Sequence, residues 1–128
     1  MILILDTSIW IEYFKGKENY FDGCHQFIKR GEVFTTEIIF AELLQGAMNK
    51  REVDMIKSYF DLIPKINISQ LYIQASDFSR NEKLHSKGIG LIDASIIKAT
   101  IESKSKLWTL DKKIIGFLGS EFLFGVNK

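Results

Sequence analysis

The sequence contains one cysteine, one proline and no long apolar run among its 128 residues. A lone Cys24 excludes an internal disulfide, so we expect an inert packing residue in a reducing, cytoplasmic setting. The apolar start at 1–5 is too short, and too poor in basic residues, for a signal peptide. No segment approaches the roughly 20 apolar residues of a membrane span, so we expect a soluble protein.

Net charge is also nearly absent, at +1, and it argues neither for nor against nucleic acid as a partner. What the sequence does have is ordinary globular composition, with 46% hydrophobic and 26% charged residues. One proline and nine glycines leave no room for a low-complexity linker. We therefore expect residues 1–128 to form a single domain with a buried core.

Short apolar runs alternate with longer amphipathic segments, a pattern typical of an α/β fold with a mainly parallel sheet. The apolar runs predict strands at 2–5, 31–36, 63–68, 106–110 and 121–124. The amphipathic segments predict helices at 20–30, 37–49, 51–62, 69–87 and 94–103. Right-handed βαβ connections would place a binding site at the carboxyl ends of the strands.

Acidic residues follow two of the predicted strands. Asp6 comes directly after "ILIL" and Asp111 after "LWTL", so both would emerge at the same edge of a parallel sheet. A helix N-cap is an equally open interpretation of Asp6. Asp93, between "GIGLI" and "ASIIKA", could likewise belong to a helix N-terminus, which favours an anion.

Glu42 stands on a partly apolar helix face. Its neighbours three and four residues away are Ile38, Ile39, Gln45 and Gly46, and no lysine or arginine lies within helical reach. A buried carboxylate without a partner costs several kcal/mol, and a bound cation would compensate it.

Carboxylates held together raise each other's pKa or recruit a divalent cation. Oxygen donors favour Mg²⁺ or Mn²⁺ over zinc, and the widely separated His25 and His85 are better explained as surface or packing residues.

Four segments, "LDTSIWIEYF", "TTEIIFAELLQG", "LHSKGIGLIDASIIKAT" and "LWTLD", together resemble the acidic segments of PIN-domain proteins. The likeness is specifically to the VapC-like toxic ribonucleases of toxin–antitoxin pairs. The resemblance implies a Rossmann-like, three-layer α/β/α domain that binds Mg²⁺ or Mn²⁺ and hydrolyses RNA phosphodiesters. It assigns the metal and the chemistry to Asp6, Glu42, Asp93 and Asp111.

The resemblance also places hydroxyl groups near the strand-end acids. Ser8 and Thr109 would orient Asp6 and Asp111, although ordinary turn and strand hydroxyls remain an alternative. Many relatives carry a further acid where this chain has Lys113, which puts a second metal site in doubt.

Contacts to the RNA transfer less readily from the relatives. Many of them have an arginine before the "KG" turn, where this chain has "LHSKG", so His85 would face the substrate instead. Four lysines have two interpretations: they contact RNA phosphates, or they belong to a solvated surface. They are Lys15, Lys17, Lys83 and Lys87.

Similar proteins are inhibited by a cognate antitoxin and pair as homodimers. We expect apolar side chains at 19–27, 37–49 and 51–62 to form such interfaces, and the alternative is that they form the internal core. Two other functions stay open: a catalytically inactive PIN-like binding module, and a phosphoacceptor signalling domain. The second requires paired acids after the first strand and a lysine after a later one, where this chain has Asp6 alone and Asp111.

Overall fold

The centre of the fold is a short strand, β1 (Leu3–Leu5), in a computed structural model that describes residues 1–125. All three of its side chains are fully buried. Because successive strand residues point to opposite faces, this burial means that both faces of the sheet are covered.

The sheet of residues 1–125 is parallel and has the order β2-β1-β3, with β2 at Val33–Phe34 and β3 at Lys106–Trp108. Leu3 pairs with Val33 on one side and with Lys106 on the other. The arrangement agrees with a three-layer α/β/α fold, and it confirms the predicted fold class.

Seven α-helices surround the sheet in the described part of the chain. α5 packs along α6, and α1 contacts both α2 and α3. None of the helices within residues 1–125 has the length and hydrophobicity needed to span a membrane. Their bounds are α1 Thr7–Phe14, α2 Glu18–Lys29, α3 Glu37–Gln45, α4 Lys50–Leu62, α5 Leu71–Glu82, α6 Leu91–Glu102 and α7 Lys112–Phe117.

An aromatic cluster joins α1, α3 and α4. Trp10 is fully buried and makes edge contacts with the rings of Tyr13, Phe40 and Tyr59. The segments predicted as interfaces thus contribute strongly to the core, because their apolar side chains pack inward. These buried residues are Cys24, Ile39, Phe40, Leu43 and Ile56.

Two predicted strands are wrong. Segment 63–68 makes one isolated bridge, between Thr35 and Lys65, and Pro64 there has no N–H with which to extend a ladder. Segment 121–124 likewise makes one bridge, between Leu107 and Leu123, and a 3₁₀ turn at Ser120–Phe122 precedes it.

The helix predictions are correct in position but not always in extent. The helix expected over 69–87 ends at Glu82, since Lys83 adopts a left-handed conformation with φ 56°. A 3₁₀ turn, His85–Lys87, follows, and the helix at 37–49 ends at Gln45. Two helices at 7–14 and 112–117 were not predicted as elements, because the sequence shows only short apolar runs there.

Candidate active site

Asp6 lies at the junction of β1 and α1. It is the N-cap of α1, and its Oδ1 accepts a hydrogen bond from the backbone N–H of Thr7 at 2.8 Å. The carboxylate is almost completely buried, at 6% exposure. The two interpretations of this residue are therefore both correct: a helix cap and an acid at the carboxyl edge of the sheet.

Two hydroxyl groups hold the other oxygen of Asp6. Thr109 Oγ1 donates to Asp6 Oδ2 at 2.6 Å, and Ser8 Oγ donates to the same atom at 3.4 Å. Thr109 also accepts from the backbone N–H of Asp111 at 3.0 Å, while Ser8 accepts from that of Leu110 at 3.2 Å. These contacts connect the ends of β1 and β3 and fix the orientation of the Asp6 carboxylate.

Asp111 follows β3, which ends at Trp108 rather than at residue 110 as predicted. Its Oδ1 accepts from the backbone N–H groups of Lys113 at 2.8 Å and Ile114 at 3.3 Å, so Asp111 is the N-cap of α7. The partial positive charge of the helix N-terminus stabilises this carboxylate.

Glu42 lies in the last turns of α3 and faces α1. Its Oε1 accepts a hydrogen bond from Thr7 Oγ1 at 2.8 Å, and the side chain is partly buried. Thr7 was not among the predicted site residues. Its hydroxyl-bearing side chain and its position between Asp6 and Ser8 were the features of the sequence that pointed to it. The Thr7 hydroxyl ties the glutamate to the same helix that Asp6 caps.

Asp93 occupies the first turn of α6, three residues after its N-cap, Gly90. The pKa of Asp93 is raised to about 6, mainly by burial and also by the negative charges of Asp6, Asp111 and Glu42. The ammonium of Lys113 opposes them. The other three predicted acids thus lie within electrostatic reach of Asp93.

The pKa of Asp6 is also raised, mainly by burial of the carboxyl group. Hydrogen bonds from Thr109, the Thr7 backbone and Ser8 lower it, while the charge of Asp111 raises it. The site thus concentrates negative charge in a place where water solvates it poorly.

The donor chemistry of this cluster suits a hard divalent cation, because the four acids and nearby hydroxyls offer only oxygen. The ion pairs found in residues 1–125 connect other residues, namely Lys50–Asp54, Asp77–Arg80 and Lys98–Glu102. No group of three or more His, Cys, Asp or Glu side chains in that part of the chain is already arranged to hold a metal ion.

The remaining candidates are exposed side chains. His25 is exposed, stacks on Phe21 and lies 3.4 Å from the Tyr13 hydroxyl, while His85 is exposed on the 3₁₀ turn. Lys15, Lys17 and Lys83 are exposed, and Lys87 donates to the Glu82 carbonyl at 3.0 Å.

Comparison with known proteins identifies the family. Residues 3–116 match the PIN domain, and the chain belongs to the PIN-domain family. Two solved structures share the fold: VapBC2 from Rickettsia felis bound to a DNA fragment from its promoter, and a toxin–antitoxin complex from Klebsiella pneumoniae.

The likeness extends over nearly the whole length of both structures. The Rickettsia felis chain is 23% identical, with a TM-score of 0.73 and 96% of each chain covered. The Klebsiella pneumoniae chain is 21% identical, with a TM-score of 0.73 and coverage of 95% of this chain and 99% of that one. No curated protein sequence matches the chain.

Proposed function

We propose that this PIN-domain protein is a metal-dependent endoribonuclease that acts as the toxin of a toxin–antitoxin pair. The observation that carries the proposal is geometric: Thr109 Oγ1 joins Asp6 to the backbone of Asp111, and Thr7 Oγ1 joins Glu42 to the helix that Asp6 caps. The pKa of Asp93, raised to about 6 by burial and by the charges of these acids, supports it. Such an arrangement costs stability unless a cation or a reaction makes use of it. Because the chain belongs to the PIN family, we do not propose the alternative function of a phosphoacceptor signalling domain.

Mg²⁺ or Mn²⁺ held by Asp6, Glu42, Asp93 and Asp111 would supply the charge that activates a water and stabilises the scissile phosphate. Thr109 and Ser8 keep the Asp6 carboxylate in one orientation. A carboxylate of this set that the metal does not fully occupy could accept a proton from the attacking water.

Incubation of the purified chain with total RNA, followed by sequencing of the new RNA ends, tests this function. We expect cleavage at discrete sites in Mg²⁺ or Mn²⁺, and none in EDTA. An Asp6→Asn variant prepared in parallel shows whether the activity belongs to this site or to a contaminating nuclease. Cleavage that persists both in EDTA and in the variant would overturn the proposal.

The proposed partner is an antitoxin protein, and the related folds were solved in toxin–antitoxin complexes. An apolar groove of about 300 Å³ lies between α1, α3 and α4, and Ile11 and Met48 on its wall are exposed. A groove of this kind suits an apolar segment of a partner. Light scattering with and without the protein encoded next to this one tests for the complex.

We also propose a homodimer and a cytoplasmic location, where RNA is available and where a single cysteine stays reduced. The helices predicted to pair turn apolar side chains towards the core, while Tyr72 and Ile73 at the start of α5 are exposed, at 44% and 70%. They line a cleft of about 820 Å³ shared with α3. Two copies facing each other here would bury an apolar patch that a monomer leaves in water.

A catalytically inactive PIN-like binding module is the second candidate. It is favoured by one observation, the absence in residues 1–125 of a preformed group of metal ligands. Calorimetric titration with Mn²⁺ and an RNA cleavage assay separate the two. An inactive module should show no heat of Mn²⁺ binding and no cleavage, whereas the nuclease should bind Mn²⁺ and cleave RNA.

A further inference from the structure

A cavity of about 420 Å³ lies between α1, the start of α2 and the loop after β3. Its volume falls within the range of small-molecule sites, roughly 300–1,000 Å³. The proposed metal site uses none of the side chains that line it, which are Glu12, Lys17, Glu18, Asn19, Tyr20 and Leu110. The cavity is therefore a separate feature of the molecule.

Two contacts connect this cavity to the edge of the sheet where the acids lie. The backbone N–H of Leu110 donates to Ser8 Oγ at 3.2 Å, and Ser8 Oγ in turn donates to the Asp6 carboxylate. The ring of Tyr20 lies against the ring of Trp108, the last residue of β3, with 6.0 Å between their centroids. The cavity is thus adjacent to the acidic site.

Three polar side chains of the lining have no partner within residues 1–125. The Glu12 carboxylate, the Asn19 amide and the Tyr20 hydroxyl make no hydrogen bond or ion pair there. Glu12 and Tyr20 are also partly buried. Converging polar groups without internal partners are typical of a site that binds a polar ligand.

The position of Glu12 relates the cavity to the expected place of reaction. Glu12 follows Asp6 by six residues on the same helix, which separates them by about 9 Å along the helix axis. This separation is on the scale of one nucleotide. An RNA chain with its scissile phosphate at Asp6 would therefore bring a neighbouring nucleotide to the cavity.

The charges of the lining favour a base over a phosphate. Glu12 and Glu18 against Lys17 give a formal charge of −1, which repels a phosphate group. Leu110 is 42% exposed and adds an apolar surface. A nucleobase combines apolar faces with a polar edge, and it satisfies both parts of this lining.

We propose that the cavity holds a guanine base next to the scissile phosphate, and that Glu12 determines the identity of this base. Guanine carries two N–H donors side by side, at N1 and N2, and one carboxylate can accept from both. The only N–H donor on the pairing edge of uracil lies between two carbonyl oxygens, which a carboxylate repels. The inference rests on the proposed function, because it assumes that RNA is the substrate.

The test is RNA binding in EDTA, where metal-dependent cleavage plays no part. The probes are fluorescently labelled uridine oligomers of about ten nucleotides, with one central guanine, inosine, adenine or cytosine, or with uridine throughout. Fluorescence anisotropy should show that the guanine oligomer binds about tenfold more tightly than the all-uridine oligomer. Inosine lacks the N2 amino group and should lose most of this preference.

Glu12→Gln should bring the ratio of guanine to uridine affinity close to one. Its affinity for the all-uridine oligomer should stay the same or rise, because the variant has one negative charge fewer. That second measurement separates a role in base recognition from damage to the fold, and Glu12→Ala provides the same comparison with a shorter side chain. Glu82→Gln is the matched control, since Glu82 is exposed at the end of α5 and does not line the cavity. It should keep the guanine preference.

Three results would overturn the inference. The unaltered chain could bind all the oligomers equally, or the guanine preference could survive both Glu12→Gln and Glu12→Ala. Weaker binding of the neighbouring encoded protein by Glu12→Gln, without any base preference in the unaltered chain, would assign the cavity to the antitoxin instead.

Cleavage of total RNA in Mg²⁺ tests the nuclease separately. Cuts without a guanine beside them would overturn the inference and leave the nuclease standing. A guanine preference in EDTA without any cleavage in Mg²⁺ would overturn the nuclease and support the base site.

Discussion

Thr109 and Asp6 are 103 residues apart in sequence, yet Thr109 Oγ1 donates a hydrogen bond of 2.6 Å to Asp6 Oδ2 at the buried ends of two adjacent strands. The same hydroxyl oxygen accepts from the backbone N–H of Asp111. One threonine thus connects two acids of the site through a single oxygen atom. Because Thr109 directly follows β3, the orientation of the Asp6 carboxylate depends on the position of the end of that strand.

Replacing Thr109 with valine should destabilise the protein, because it leaves a buried carboxylate oxygen and a backbone N–H of Asp111 without this partner. We expect a loss of about 1–3 kcal/mol in the free energy of unfolding. Thr109→Ser keeps the hydroxyl and should retain the affinity for Mn²⁺, whereas Thr109→Val should lower it. Urea unfolding and calorimetry measure the two quantities, and equal Mn²⁺ affinity in both variants would contradict a positioning role.

Addition of Mg²⁺ or Mn²⁺ should raise the melting temperature, since ligation relieves repulsion between carboxylates and favours the folded state. At a concentration 100 times the Kd, the gain is about 2.7 kcal/mol, or several degrees. EDTA should reverse the shift. Asp93→Asn should reduce it, and Asp22→Asn, at an exposed acid on α2, should not. An unchanged melting curve in every case would mean that the cluster is not a metal site.

Asp6→Asn should lower RNA cleavage by about 100-fold or more, because it removes a charge at the reacting centre while preserving the shape of the side chain. The variant should stay folded, since asparagine is also a favoured helix N-cap and its amide oxygen can keep the bond from the Thr7 backbone. Circular dichroism checks the fold, and Asp22→Asn again serves as the matched control. A folded Asp6→Asn protein with the original rate would remove Asp6 from the mechanism.

The free energy of unfolding of the metal-free protein should depend on pH through the ionisation of Asp93. Its folded pKa of about 6 lies above the ordinary value of 3.8, so the folded state holds this proton more tightly than the unfolded state. The contribution of Asp93 to stability therefore increases as the pH falls from about 7 towards 4. Asp93→Asn should be more stable than the original chain at pH 7 in EDTA.

That advantage should shrink as the pH approaches 5, because Asp93 itself then becomes neutral. The informative quantity is the difference between the two proteins in free energy of unfolding, since carboxylates that do not interact with Asp93 contribute equally to both. A difference that stays constant between pH 7 and pH 5 would contradict the raised pKa.

The positions of Asp6 and Asp111 could be predicted from sequence because a strand-end position is visible as a polar residue after an apolar run. Glu42 and Asp93 lie in helices, and only the resemblance to PIN-domain proteins grouped them with the other two. The structure shows why one residue satisfies two interpretations: a strand that leads directly into a helix makes its last polar residue a cap as well. The contact between Thr7 and Glu42 could not be predicted, since it depends on how α1 packs against α3. The strands at 63–68 and 121–124 failed for a related reason, because a short apolar run specifies burial and not a ladder of hydrogen bonds.

Ile73→Glu should convert the proposed homodimer into a monomer. Ile73 is 70% exposed at the start of α5, and a charge there would be buried without a partner if a second copy covers this face. Leu62→Glu is the matched control, since Leu62 is 66% exposed at the end of α4 and lines a different cavity from Ile73. Light scattering at micromolar concentration should give a dimer for the unaltered chain and for Leu62→Glu, and a monomer for Ile73→Glu. A dimer that tolerates Ile73→Glu would exclude this face, and a monomer in all three proteins would exclude the homodimer while leaving the chemistry of the acidic site untouched.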